Sequence, residues 1–168
     1  EAPIIQKNFQ SNSTDNFLED KFLCFAYRYQ YLNGEFSATS QWSAPIFDPG
    51  VQGYSFFTAL NESMVNTITG INIFFNSGSS LVSSVQVLYK ESTSNVIKVI
   101  DKLSKNLEGY SDNTNYSLSF DNSKIFTVLP PVELLRLYDN VPLLAKSQTV
   151  MGNRLVYGNY IEGYDLKD

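Results

Sequence analysis

The stretch that decides the fold is Phe25-Ala-Tyr-Arg-Tyr-Gln-Tyr-Leu-Asn-Gly-Glu-Phe-Ser-Ala-Thr-Ser-Gln-Trp42. Aromatic residues alternate with polar ones before Asn33-Gly34, which is the strongest short signal for a β-hairpin. A two-residue turn, with both turn residues at positive φ, predicts the following opposite pairs: Tyr31 with Phe36, Tyr29 with Ala38, Tyr27 with Ser40, and Phe25 with Trp42. The stretch therefore predicts an antiparallel sheet.

This register also predicts which face of the hairpin is buried. Every large ring lies on one face, whereas a slip by one residue would send Phe36 and Trp42 to the other. The opposite face carries polar side chains that we expect to be exposed: Arg28, Gln30, Ser37 and Thr39. The hairpin is therefore predicted to bury its aromatic face in a core.

The composition is typical of one globular β-rich domain, or of one domain with part of another. The chain has 168 residues, 43% of them hydrophobic and 14% aromatic, which is enough to bury a sizeable core. No apolar run approaches the roughly 20 residues of a membrane span. The chain begins Glu1-Ala-Pro, without methionine or a leader, so we expect it to be part of a longer protein.

Charge and residue types argue against several function classes. The net charge is −5 and no stripe of lysine and arginine occurs, so we expect neither nucleic acid nor a membrane as a partner. Without histidine, and with Cys24 as the only cysteine, a Ser/His or Cys/His pair and the usual zinc ligand sets cannot form. Nothing brings two carboxylates together as glycoside hydrolysis requires. The sequence predicts no enzyme activity and no cofactor.

Two Asp/Asn-rich segments carry oxygen ligands of the kind that calcium prefers. They are Asp112-Asn-Thr-Asn115 and Asp121-Asn122. Neither has EF-hand spacing, so we interpret both as polar loops and predict no metal site.

Further segments read as short strands joined by turns. Ile4 and Ile5 suit a short edge strand, and residues 51–63 suit a crossing loop. Alternating or β-branched runs predict strands within residues 64–75, 84–90, 95–102, 116–120 and 124–129. A turn at Gly152-Asn153 lies inside a last β-rich run.

These elements predict an all-β fold, an immunoglobulin-like or fibronectin-III-like sandwich. We place the sandwich at residues 21–108, after an extended segment over residues 1–20. Residues 109–168 are predicted to form a β-rich extension, strand then short helix then strand, that leads into a further domain. Its helix is expected near residues 131–138, with Pro131 in the first turn.

Four local signatures follow one another along the chain. They are Phe25-Ala-Tyr-Arg-Tyr-Gln-Tyr-Leu-Asn-Gly-Glu-Phe-Ser37, Val87-Leu-Tyr-Lys-Glu91 with Ile97-Lys-Val-Ile-Asp101, Leu135-Arg-Leu-Tyr-Asp-Asn-Val-Pro142, and Gly152-Asn-Arg-Leu-Val-Tyr-Gly-Asn-Tyr160. In this order they resemble a recurrent module in virion structural proteins of tailed bacteriophages, including long tail and nozzle-type proteins. The resemblance implies a fibronectin-III-like module inside a larger multimeric virion protein, followed by another β domain that begins near Asn153.

The function expected from this resemblance is structural and non-catalytic. The module would act as a spacer and inter-subunit packing element in the phage tail, with other virion proteins and copies of itself as partners in a symmetric assembly. Candidate interface residues are Leu134, Tyr138 and Tyr160. The alternative is a glycan-binding module for host attachment or polysaccharide capture, in which Tyr27, Tyr29 and Trp42 would stack on sugar rings of a host surface glycan. A period-2 ring stripe more often belongs to the core of a sandwich.

Overall fold

The computed structural model describes residues 1–8, 16–50, 53, 55–61, 64–134 and 145–160. The strands are β1 (Ile4–Asn8), β2 (Leu23–Tyr31), β3 (Gly70–Asn76), β4 (Val82–Glu91), β5 (Ile97–Ser104), β6 (Asn115–Phe120), β7 (Thr127–Val128), β8 (Ala145–Met151) and β9 (Arg154–Tyr160). The helices are α1 (Lys105–Glu108) and α2 (Pro131–Leu134).

Two antiparallel sheets form a sandwich, which confirms the predicted all-β class. One sheet has the order β1-β3-β6, the other has the order β2-β4-β5-β7, and β8 and β9 form a separate two-stranded hairpin. The neighbours β2, β4 and β5 are arranged like the C, F and G strands of immunoglobulin-like sandwiches.

The core lies between the inner faces of the two sheets. Alternate residues of β3 and β4 point into it, because successive side chains of a strand face opposite sides. The Phe25 ring of β2 meets the Phe120 ring of β6 edge-on, with 5.4 Å between ring centroids. The fully enclosed side chains include Phe25, Ile68, Ile73, Val85 and Val87.

The sandwich extends past both boundaries predicted at residues 21 and 108. Strand β1, which lies in the predicted N-terminal segment, pairs with β3 from Ile4 to Asn8. Strand β6, which lies in the predicted extension, pairs with the other side of β3. Both edge strands of the three-stranded sheet therefore come from outside the predicted range.

The predicted two-residue turn at Asn33-Gly34 is wrong. Gly34 has φ +86°, but Asn33 is not at positive φ, and the loop contains one more residue than predicted. The Tyr31 N–H donates to Glu35 O at 2.8 Å and the Gly34 N–H donates to Tyr31 O at 2.9 Å. This is a three-residue loop with a glycine in the left-handed region, and it shifts the register so that Phe36 bridges Gln30.

No regular strand follows this turn, and a serine repeat pairs with β2 instead. Ser37, Ser40 and Ser43 lie opposite Tyr29, Tyr27 and Phe25, so the segment advances three residues for every two of β2. In each pair the serine N–H donates to the carbonyl of the β2 residue, at 2.8–2.9 Å. The serine Oγ accepts the N–H of the same residue, at 2.9–3.0 Å. Of the four predicted pairs, only Tyr27 with Ser40 occurs.

The hydroxyl groups are needed because the segment is out of step with the strand. A segment with three residues per two strand residues cannot keep its carbonyls in register with a regular ladder. Each serine Oγ takes the place of the missing carbonyl and donates its own hydrogen to the carbonyl of the following residue. The N–H groups on this side of β2 therefore remain satisfied without a partner strand.

The shifted register also changes the faces of the hairpin. Phe36 packs against Arg28 and Trp42 against Lys90, so neither ring lies with the core aromatics as predicted. Arg28, predicted to be exposed, is 2% exposed, and Ser37 is buried as well. The outer face of this sheet is thus covered, unlike the solvated face that the alternation predicted.

Other local predictions have mixed outcomes. The hairpin of β4 and β5 and the strands β1 and β6 are confirmed. The strand predicted within residues 64–75 begins only at Gly70, and the strand predicted at 124–129 is reduced to the two residues of β7. Helix α2 begins at Pro131 as predicted, and residues 135–138 lie outside the described residues. The Gly152-Asn153 turn is confirmed, with φ +57° and +62°.

We expect Ser40→Ala to destabilise the sandwich by about 1 kcal/mol, because the part-buried Tyr27 N–H loses its acceptor. The free energy of unfolding in urea measures the effect. Thr39→Ala, which removes a hydroxyl that is not part of the serine repeat, is the matched control. Equal losses for the two variants would contradict the role assigned to the Ser40 hydroxyl.

Candidate functional site

The described part of the chain holds no cluster of side chains typical of a metal centre. No group of three or more His, Cys, Asp or Glu residues converges within it. Among the described residues, no helix is long and apolar enough to cross a bilayer. Cys24 is buried, and burial raises the pKa of its thiol, which disfavours the reactive thiolate.

The two Asp/Asn-rich segments have structural partners inside the chain. Asp112 accepts a hydrogen bond from the buried Lys105 Nζ, which also donates to Ser79 O at 2.9 Å. Asp121 accepts the Ser123 hydroxyl at 2.7 Å and its N–H at 3.1 Å, and these bonds lower the pKa of the Asp121 carboxyl. Both carboxylates thus stabilise local loop structure.

The tyrosines of the alternative glycan platform lie against the core. Tyr27 and Tyr29 are partly buried, and their rings meet edge-on with 5.5 Å between centroids. The Tyr29 hydroxyl donates to Asn76 O at 3.1 Å, and burial raises the pKa of Tyr29 above its usual range. Both rings are therefore part of the packing around the core rather than a separate exposed platform.

Trp42 lies apart from the two tyrosines. Lys90 Nζ sits 4.6 Å from the centroid of the Trp42 ring, a distance suited to a cation–π interaction. Trp42 also lines an open cleft of about 450 Å³ between the start of the chain and the segment after the serine repeat. Pro3, Lys7 and Ser43 share the lining of this cleft. The structure therefore places one of the three platform residues beside a space that could admit a ligand.

An ion pair between a buried arginine and a partly exposed carboxylate joins the sandwich to the C-terminal part of the chain. Arg28 Nη2 donates to Glu133 of α2, Arg28 Nε donates to Gln86 Oε1 at 2.6 Å, and the guanidinium carbon lies 4.0 Å from the centroid of the Phe36 ring. The Arg28 side chain is 1% exposed and that of Glu133 is 33% exposed. The pair brings α2 onto the outer face of the four-stranded sheet.

Because the Arg28 guanidinium is removed from water, its charge has to be compensated within the protein. A buried guanidinium is costly unless its donors and charge are matched, and Arg28 Nη1 is a buried donor that has no hydrogen-bond partner among the described residues. Glu133 supplies the compensating charge, Gln86 a second acceptor, and Phe36 a π face. The loss of Glu133 would leave a buried positive charge uncompensated.

The predicted interface residues fall in the C-terminal part of the chain. Leu134 ends α2 and Tyr160 ends β9, and the side chains of both lie outside what the structure describes. Tyr138 lies wholly outside the described residues. The interface prediction for these three residues stays a prediction.

The β8–β9 hairpin displays apolar side chains to solvent. Residues 147–151 of β8 pair in regular register with residues 154–158 of β9, on either side of the Gly152-Asn153 turn. Side chains are exposed on both of its faces: Val150 73%, Met151 71%, Leu155 53%, Val156 43% and Tyr157 56%. Such exposure is unusual for a soluble β-hairpin and marks a candidate contact surface.

Sequence reasoning missed both the serine repeat and the Arg28–Glu133 pair. The serine repeat can be recognised in the sequence from the spacing Ser-x-x-Ser-x-x-Ser over residues 37–43, because a period of three is neither that of a strand nor that of an α-helix. The Arg28–Glu133 pair leaves no signal in the sequence, because the two residues are 105 positions apart.

Comparisons with known proteins do not assign the chain to a family. Neither a scan against protein-family models nor searches of curated proteins and of solved structures gave a significant match. The class that the fold and these contacts define is an all-β sandwich with the Arg28–Glu133 ion pair on its outer face and an exposed apolar hairpin.

We expect Glu133→Gln to lower the free energy of unfolding by about 1–3 kcal/mol, since the buried Arg28 loses its countercharge while its hydrogen bond is partly retained. Glu108→Gln, at an exposed helical carboxylate, is the control and should have little effect. Chemical denaturation measures both.

The double variant Arg28→Met with Glu133→Leu should lose less stability than the sum of its two single changes, because no unpaired charge is left behind. A strictly additive double-mutant cycle would show that the two side chains are not coupled.

Proposed function

We propose that this chain is a non-catalytic structural module of a tailed-phage virion protein, which serves in the tail as a spacer and as a packing element between subunits. Its partners would be other virion proteins and copies of itself. The module resembles such proteins in four signatures along the chain.

The observation that carries this proposal is the exposed apolar hairpin. An isolated two-stranded hairpin is at best marginally stable in water, yet β8 and β9 hold a regular register with Val150 and Met151 more than two-thirds exposed. A contact with another subunit would cover these side chains. The sandwich closes its own core, so it can hold a fixed spacing while the hairpin makes contacts.

The net negative charge of the chain suits a surface on the exterior or in the lumen of a virion. The chain carries 17 carboxylates and 12 basic residues. A net negative module repels the nucleic acid backbone and would not retain DNA during packaging or ejection.

The proposal predicts that peptides of this chain occur in purified phage particles, within a longer polypeptide and at a copy number that fits a symmetric tail assembly. Quantitative peptide mapping of gradient-purified particles tests this. The soluble fraction of the same lysate is the control. A free 19 kDa product found only outside the particles would contradict the proposal.

A second candidate function, glycan binding, is favoured by one observation, the partly exposed Trp42 beside the open cleft. The indole lines this cleft together with Pro3 and Lys7 and offers a stacking surface for a sugar ring. This reading needs only Trp42 of the three residues first considered, because Tyr27 and Tyr29 pack on the core.

If the cleft binds glycans, bacterial polysaccharide should change the fluorescence of Trp42, which is the only tryptophan. Trp42→Ala should then abolish retention on immobilised polysaccharide, while Phe57→Ala, at a fully exposed ring elsewhere, should not. An unchanged emission spectrum together with equal retention of both variants would rule out this function.

A further inference from the structure

Among the residues that the structure describes, no strand pairs with the outer edge of β9. A two-residue turn makes Met151 and Arg154 a hydrogen-bonded pair, and hydrogen-bonded and open pairs then alternate along the ladder. The N–H and C=O groups of Leu155 and Tyr157 therefore point away from β8. This edge can accept another strand.

The features that normally protect a strand edge are absent from β9. Natural edges carry lysines, prolines, bulges or covering segments. Strand β9 has no proline, no register shift and a single charge, Arg154, at its first residue. Strand β8 carries Lys146 within its length and is better protected.

The sandwich edges differ from β9 in this respect. The serine repeat covers β2, β7 has two residues and is followed by Pro130-Pro131, and β1 follows Pro3 and contains Lys7. Strand β6 is a free edge, but its apolar side chains already pack on the core. In the described part of the chain, the hairpin combines an unprotected edge with several unburied apolar side chains, whereas the exposed Ile4 and Val128 lie on the protected edge strands β1 and β7.

We propose that β9 pairs antiparallel with β9 of a second copy of this chain, centred on Val156, to form a continuous four-stranded sheet. This inference rests on the proposed packing function and names its contact. Leu155 then lies opposite Tyr157 of the second copy, and the outward N–H and C=O groups of both residues are paired.

Charge and side-chain chemistry favour a second copy as the occupant of this edge. In this register each Arg154 lies opposite a glycine, Gly158, and the two arginines are at opposite ends of the new pairing, so like charges do not meet. Leu155 and Tyr157 form two aliphatic–aromatic cross-strand pairs next to Val150 on the same face. Independent stability of a sheet requires three or more strands with a hydrophobic face. The four-stranded sheet meets this requirement, whereas a lone hairpin does not.

Disulfide trapping tests the register. The central pair is not hydrogen-bonded, which brings the two Val156 Cα atoms to about 4.5 Å, close enough for a disulfide. Val156→Cys should give a covalent dimer under mild oxidation. Thr149→Cys, at a hairpin position opposite Val156 but two strands farther from its counterpart, should not. The unsubstituted chain controls for the buried Cys24.

Sedimentation equilibrium of the 168-residue chain tests the contact itself. We expect a reversible dimer whose dissociation constant rises about tenfold or more in Tyr157→Lys. Ile125→Lys, at a fully exposed apolar residue outside the hairpin, should leave it unchanged.

The inference is overturned if the chain stays monomeric at every accessible concentration, if Thr149→Cys crosslinks as fast as Val156→Cys, or if Tyr157→Lys has no effect. These outcomes are separate from the virion assignment. Peptides found in particles without Val156→Cys crosslinking would overturn the strand pairing alone. Crosslinking with the peptides absent from particles would overturn the virion function alone.

Discussion

The need to satisfy the backbone N–H groups of β2 on both sides governs this structure. Buried N–H groups are almost always paired, because an unpaired one costs about as much as a lost hydrogen bond. On one side β4 supplies an ordinary ladder, and on the other Ser37, Ser40 and Ser43 supply hydroxyl oxygens. The serine segment allows an irregular chain to close this side of the sheet. The register shift at the preceding loop also brings the Phe36 ring over the Arg28 guanidinium.

Arg28 links this arrangement to the distant C-terminal part. Once Phe36 covers the outer face, the guanidinium is desolvated and needs a countercharge, which Glu133 supplies. The same side chain thereby contacts three separate parts of the chain, namely β4 through Gln86, the turn through Phe36, and α2 through Glu133. A buried ion pair of this kind is weak evidence for added stability, but it strongly disfavours structures in which α2 is undocked.

The hairpin of β8 and β9 stands in contrast to the sandwich. The sandwich buries its aromatic and aliphatic residues internally, whereas the hairpin leaves Val150, Leu155 and Tyr157 in contact with solvent. This division suits a module whose body fixes a spacing and whose terminal hairpin makes contacts. It also explains why the residues of most functional interest do not include Tyr27 and Tyr29, which pack against the core.

The sequence by itself determined the all-β class, the β4–β5 hairpin, the edge strand β1 and the turn at Gly152-Asn153, because strand periodicity and left-handed turn residues are local properties. It could not determine the register after Asn33-Gly34, since two- and three-residue loops both suit this dipeptide and the choice between them depends on what the following segment packs against. It also placed Arg28 on a solvated face, because alternation reveals sides of a strand but not what covers them. Only the tertiary structure decided these points: the burial of Arg28, its pairing with Glu133, and the serine repeat depend on contacts between distant segments, whose free energies no local pattern contains.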